Sequence, residues 1–193
     1  MGILAEQFYL CENVVAIAKA LLGKVITTNF EGNVTSGIIT ETEAYAGITD
    51  RASHAFNGRK TKRTEVMFRR GGIAYVYLCY GIHHLFNVVT NIEGIPHAVL
   101  IRAIKPVDGI DIMLQRRKIK KPVITLTNGP GTLSAALGIK TLHSGLSLYG
   151  TQIKIENIGI IVDESRIKTS PRIGVNYAGE DAKLPYRFVL ATI

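Results

Sequence analysis

Lys24-Val25-Ile26-Thr27-Thr28-Asn29-Phe30-Glu31-Gly32-Asn33-Val34-Thr35-Ser36-Gly37-Ile38-Ile39-Thr40-Glu41-Thr42-Glu43-Ala44-Tyr45 is the stretch that decides the fold class. Lys24–Phe30 and Ser36–Tyr45 are rich in β-branched residues, and Glu31-Gly32-Asn33 between them reads as a hairpin turn. In an extended Ile39–Tyr45 the side chains alternate between faces. Ile39, Glu41, Glu43 and Tyr45 then share one face, and Thr40, Thr42 and Ala44 the other. Two carboxylates and a tyrosine make a poor core face but a good cleft floor.

Upstream, Asn13 can cap a helix over Val14–Leu22, with Val14, Ile17, Ala18 and Leu21 on one stripe and Gly23 as the stop. Downstream, residues 46–70 are polar with little periodicity and read as a long surface loop, functional or disordered. Strand Ile73–Cys79, a sharp turn at Tyr80-Gly81 and strand Leu85–Thr90 follow. Asn91-Ile92-Glu93-Gly94 turns the chain into strand Ala98–Ile104. Pro106-Val107-Asp108 opens a helix to about Arg117, with Ile110, Met113 and Leu114 inward and Arg116 and Arg117 outward. A short helix runs from Asn128-Gly129-Pro130 to Gly138, and the tail reads as strands at Gln152–Glu156, Ile158–Val162, Arg172–Val175 and Arg187–Leu190. The expectation is α+β: one domain over residues 1–193, built on a curved, mainly antiparallel sheet with flanking helices and a protruding hairpin.

Hydrophobic residues make up 47% of the 193, which excludes a disordered chain. A net charge of +8 suggests an anionic partner, nucleic acid first, although charge alone does not separate that from plain solubility. Cys11 and Cys79 form neither a disulfide framework nor a zinc pattern, so a reducing, cytoplasmic or otherwise intracellular setting is expected. No segment reaches the roughly 18 apolar residues of a membrane span. Glycine-rich nucleotide-binding motifs and a serine nucleophile elbow are missing. His83 and His84 would point to opposite faces of a strand, which is poor metal geometry. Neither cofactor nor metal is expected.

The chemistry concentrates between Glu41 and Asn87. Glu43 can be a general base or half of an ordinary salt bridge; Arg102, on another strand, could hold it ionised. Tyr45, His54 and Tyr77 can line a purine pocket, or be two half-buried sheet tyrosines and a polar surface histidine. Tyr80, at the hairpin tip, can enter a base stack or fold back onto the sheet. Arg59, Lys60, Lys62, Arg63, Arg69 and Arg70 can neutralise phosphates or be solvated surface. A second basic run, Arg116 to Lys121, reads the same two ways. Acid, aromatic faces and cationic charge together suit an enzyme that works on a base taken out of a DNA stack.

In order and spacing, Glu41-Thr42-Glu43-Ala44-Tyr45, His54, Met67-Phe68, Tyr75-Val76-Tyr77-Leu78-Cys79-Tyr80-Gly81, Asn87, Arg102, Asn128-Gly129-Pro130-Gly131, Arg172-Ile173-Gly174-Val175 and Ala178-Gly179-Glu180 resemble the alkyladenine (3-methyladenine) DNA glycosylases of the mammalian type. The resemblance implies a monofunctional hydrolase that removes damaged purines from double-stranded DNA, acting as a monomer. It implies Glu43 as the base, with Arg102 and the Ile173 carbonyl as further water ligands. It also implies Tyr45, His54 and Tyr77 around the base, Tyr80 as the wedge, and Asn87 as the amide that crowds the exocyclic amine of guanine. Arg59 and Thr61, with Arg63 beside them, match a backbone-contacting loop. A non-enzymatic nucleic-acid-binding module is the alternative, and it leaves Glu43 without purpose. A lysine-nucleophile glycosylase is disfavoured because no lysine falls in the pocket strands.

Overall fold

Two residues turn the decisive hairpin. β2 (Val25–Phe30) pairs antiparallel with β3 (Asn33–Tyr45), and the loop residues Glu31 and Gly32 have φ of 55° and 80°. Positive φ at both central positions matches the right-handed twist of the flanking strands. The computed structural model describes residues 1–191. Its other strands are β1 (Gly2–Ile3), β4 (Ala74–Cys79), β5 (His83–Thr90), β6 (His97–Pro106), β7 (Ile153–Asn157), β8 (Ile167–Ser170) and β9 (Arg187–Leu190). The helices are α1 (Glu6–Tyr9), α2 (Val14–Ala20), α3 (Ile110–Arg117) and α4 (Pro130–Leu137).

The strands form one antiparallel sheet in the order β1-β7-β2-β3-β6-β5-β4, with β9 also on β3 and β8 beyond it. β3 therefore has β6 along one edge, while β2 takes the first half of its other edge and β9 the second. Strand β3 thus changes partners midway, and the sheet curls into a half-barrel flanked by a few helices: the α+β expectation holds. One face carries the main core, where α2, α3 and α4 pack Ile17, Met113 and Leu133 against Ile39, Ala44, Phe86 and Ile101. Asn13 caps α2, its Oδ1 accepting from the Ala16 N–H at 3.0 Å. Among the described residues no helix is long and apolar enough to cross a membrane, and no group of three or more His, Cys, Asp or Glu could hold a metal.

Five sequence expectations are corrected. Residues 46–70 are not a bare surface loop: they fold through three short 3-10 turns and bury Ala55, Val66 and Met67 against Ile73, Tyr75, Val89 and Ala98 on the second face of the sheet. Most of the polar residues that hid this packing face outward, while Asp50, Ser53 and Thr64 are buried with it. Helix α3 starts at Ile110, because β6 runs on to Pro106 and Gly109 adopts φ 69°. Arg116 points inward rather than out, donating to the Ala136 carbonyl at 3.0 Å and to Thr35 Oγ1 at 3.2 Å. Residues 158–162 and 172–175 are not strands; Gly159 and Gly174, at φ 88° and 78°, break each extension.

The alternation over Ile39–Tyr45 also needs correction. The β3–β6 register slips between Ile39 and Glu41 and again between Glu41 and Thr42. Ile39 consequently lies in the main core with Ala44, while Glu41, Glu43 and Tyr45 share the opposite, polar face.

Candidate active site

Four strands and two loops converge on a cavity of about 640 Å³ on the second face of the sheet. β3 contributes Tyr45 and β6 Arg102; β4 contributes Tyr77, and β5 contributes Asn87. The 46–70 segment supplies His54 and Arg63, and the 171–177 loop supplies Ile173 and Tyr177.

Glu43 sits behind the wall of this cavity, with no exposed surface. Its Oε1 accepts the Ile173 N–H at 2.8 Å, and its Oε2 accepts the Tyr45 hydroxyl at 2.9 Å. Arg102 Nη1 approaches the same Oε2 at 3.4 Å. Burial pushes the carboxyl above its ordinary range, opposed by the Arg102 charge, then by the Ile173 and Tyr45 hydrogen bonds; the nearby Glu41 adds to the rise. The carboxylate is thus buried, yet its three polar partners, Tyr45, Arg102 and Ile173, all line the cavity.

Three rings form the far wall. His54 meets Tyr77 edge-on at 4.6 Å between centroids, and Tyr77 stacks on Tyr75 at 5.5 Å. His54 Nδ1 lies 2.8 Å from the Tyr75 hydroxyl. Burial, then the charges of Arg63 and Arg59, lowers the His54 pKa to about 4, so the imidazole is neutral near pH 7. Asn87, buried in the wall, donates through Nδ2 to the Tyr75 and Leu85 carbonyls at 3.2 and 3.3 Å, which fixes the amide plane.

Tyr80 crowns the β4–β5 hairpin at φ 51° and is 89% exposed, so it does not fold back onto the sheet. Exposed Ile82 stands two residues on. Arg59 and Thr61 lie outside the cavity lining. Their loop is braced by Thr64, whose hydroxyl accepts the Thr61 N–H at 2.9 Å and donates to the Arg59 carbonyl at 2.9 Å. Arg59, Lys60, Lys62 and Arg63 are exposed along it.

Several residues at the site had no role in the sequence reading. Arg172 and Asp50 form a fully buried bidentate pair. The same guanidinium donates to the Ala44 and Asp181 carbonyls and lies 4.8 Å from the Tyr45 ring, so it joins three segments behind that ring. Tyr177 donates its hydroxyl to the Ala52 carbonyl at 3.1 Å and edges the cavity. A separation of 122 positions between Asp50 and Arg172 leaves no local signal for that pair. Glu41 did leave one, through its position on the Glu43 face.

The arrangement is a buried acid beside a ring-lined cavity of about 640 Å³ with cations at its edge. A family model described as methylpurine-DNA glycosylase matches residues 7–192. A protein of Chlamydia felis, provisionally named a 3-methyladenine DNA glycosylase, is 52% identical over 97% of this chain and 95% of its own length. Proteins of Bacillus thuringiensis and Desulfitobacterium hafniense with the same provisional name are 46% and 41% identical, covering 89% and 97% of this chain and 88% and 94% of their own lengths. These relatives are bacterial, so they support the family without the narrower mammalian-type label.

Proposed function

The chain belongs to the methylpurine-DNA glycosylase family, and on that premise we propose that it is a monofunctional glycosylase that extrudes damaged purines from duplex DNA and hydrolyses their N-glycosidic bond. The substrates are of the 3-methyladenine, hypoxanthine and ethenoadenine class, and the product is an abasic site. The observation that carries the reading is the Glu43–Tyr45 hydrogen bond: it ties a buried carboxylate to a ring that lines the cavity.

In this reading Tyr80 enters the stack while the damaged nucleotide swings between Tyr45 and the His54–Tyr77 wall. Extrusion costs a few kcal/mol, least for weakly paired or damaged bases, which contributes selectivity. A cationic alkylpurine gains a cation–π contribution from the rings. Glu43 takes the proton of a water as its oxygen bonds to the sugar carbon and the purine leaves with the glycosidic electron pair. Arg102 keeps the carboxylate ionised. Asn87 crowds the exocyclic amine of undamaged guanine, and its doubly anchored Nδ2 suits that role because it cannot turn aside.

The water needs an opening step. Glu43 Oε1 is taken by the Ile173 N–H, and the carboxylate has no exposed surface. Ile173 therefore swings off Oε1 when DNA binds, with Gly174 at φ 78° as the pivot, and its carbonyl becomes the third ligand of the admitted water.

Glu43→Gln keeps the shape and removes the base. Single-turnover release of hypoxanthine from a duplex, read by alkaline cleavage of the abasic site, should fall by about 10²- to 10⁴-fold. Affinity for the same duplex should be retained. A variant that releases the base at the parent rate refutes the assignment, and a parent chain that releases none of these bases favours the binding-module alternative.

A further inference from the structure

Arg102 is aimed by a paired defect in the sheet. Between Ile39↔Ile104 and Glu41↔Ala103, β3 holds one extra residue, Thr40; between Glu41↔Ala103 and Thr42↔Ile101, β6 holds one extra residue, Arg102. The two bulges cancel, so the register is regular on either side. Bulges of this kind re-aim a side chain beside an active site.

The nearest anion to the re-aimed guanidinium is not Glu43. Arg102 Nε donates to Glu41 Oε1 at 2.8 Å, whereas Nη1 reaches Glu43 Oε2 only at 3.4 Å. Glu41 Oε1 also accepts from Arg187 Nε at 2.6 Å. Arg187 stands opposite Glu43 in the β3–β9 register, so the strand that replaces β2 beside β3 delivers the second cation. The series Arg187, Glu41, Arg102, Glu43 alternates in sign and has no net formal charge. A buried carboxylate such as Glu41, away from substrate, is costly unless paired, and pairing alone gives little stability over an apolar replacement. Its geometry gives it another use.

We propose that Glu41, neutralised by Arg187, is a positioning residue that anchors Arg102 through Nε so that the terminal nitrogens face Glu43 and the cavity. This rests on the reading of Glu43 as the base. The polar groups around Glu43 are Glu41 and Tyr45 from β3, Arg102 from β6, Arg187 from β9, Tyr77 from β4, the Ile173 N–H and Arg172 from the 171–175 loop, and Tyr177 just beyond it.

The test is single-turnover excision against pH for the parent, Glu41→Gln, Arg187→Gln and Glu43→Gln. The rate falls on the acid side as Glu43 becomes protonated. Glu41→Gln frees Arg102 from its anchor, so the Arg102 charge that lowers the Glu43 carboxyl, a larger influence than the opposing charge of Glu41, is weakened; the acid limb moves to higher pH and the plateau falls on the order of 10- to 100-fold. Arg187→Gln leaves Glu41 uncompensated but Arg102 anchored, so the limb moves to higher pH with the plateau near the parent. A role confined to holding the fold would lower melting temperature or plateau without moving the limb. A Glu41→Gln limb that stays with the parent, or that moves to lower pH as the loss of a mere neighbouring charge would make it, overturns the inference. Should Arg187→Gln fail to fold, Arg187→Lys keeps the charge and is expected at the parent limb; a limb displaced as far as in Glu41→Gln overturns it. Parent-like excision by Glu43→Gln would instead mean that the base assignment itself has failed.

Discussion

Glu43, behind the wall of the cavity, and Tyr80, at its rim, stand at opposite extremes of exposure, 0% against 89%. Around Glu43 the floor is a set of closed pairs: Arg187 with Glu41, Glu41 with Arg102, Arg102 with Glu43, and Asp50 with Arg172. Around Tyr80 the rim is open, with exposed Ile82 and, on the neighbouring loop, exposed Arg59, Lys60, Lys62 and Arg63. These charge pairs are set by folding before any ligand arrives, which is the condition for strong electrostatic action in a dry site, and the Ile173 contact is the part of the floor that the proposed opening step moves. The rim has little to gain from folding. Its apolar groups and cations stay exposed in the folded chain, with Lys60 over the Phe68 ring at 5.5 Å, and a covering nucleic acid is the partner proposed for them.

The largest effect on stability should follow from breaking the floor. Asp50→Ala leaves Arg172 as an uncompensated buried charge and frees the segments joined at Ala44 and Asp181. Removing one partner of such a pair costs about 3–5 kcal/mol. Urea unfolding should show that loss for Asp50→Ala, while Tyr80→Ala, which touches little in the folded chain, should stay within about 0.5 kcal/mol of the parent. Equal losses at the two positions would erase the distinction between floor and rim.

The rim should answer in binding. Tyr80→Ala removes a ring able to fill the gap left by an extruded nucleotide, and one base–aromatic stack is worth about 1–3 kcal/mol. Affinity for a lesion-bearing duplex, measured by fluorescence anisotropy, should therefore fall by roughly 5- to 150-fold. Parent-like affinity and single-turnover rate would remove the wedge role and leave Tyr80 as bystander surface.

The sequence carried the rim and the near floor better than the far floor. Tyr80 was legible because Tyr80-Gly81 sits between two strand-like runs, and a turn exposes its tip. Glu41, Glu43 and Tyr45 were legible as one face because alternation survives beyond the bulge. The bulge itself was not, since no residue type at Thr40 or Arg102 marks an extra residue, and strict alternation therefore misplaced Ile39. Asp50 and Arg172 are joined only by tertiary folding across 122 residues. The 46–70 segment misled for a related reason: its buried Ala55, Val66 and Met67 lie in irregular 3-10 turns, where neither a 3.6- nor a 2-residue period develops. Arg172–Val175 looked strand-like from composition, yet Gly174 at positive φ turns Ile173 toward Glu43 instead.

The smallest effect belongs to the rim cations, and it separates capture from chemistry. Each lysine or arginine that neutralises a phosphate releases condensed counterions, contributing about 0.9 to the slope of log affinity against log salt. Arg59→Ala and Lys62→Ala, both at exposed positions on the Thr64-braced loop, should each reduce that slope by about 0.9, to the same extent for every DNA sequence. At saturating enzyme their single-turnover excision rate should match the parent, because neither side chain lines the cavity. An unchanged salt slope would place the DNA backbone elsewhere on the surface, with the second basic run near Arg117 and Lys118 as the next position to test. A slope that falls together with the saturated rate would mean that the loop also sets the cavity, and the division between an organised floor and an adaptable rim would have to be drawn farther out.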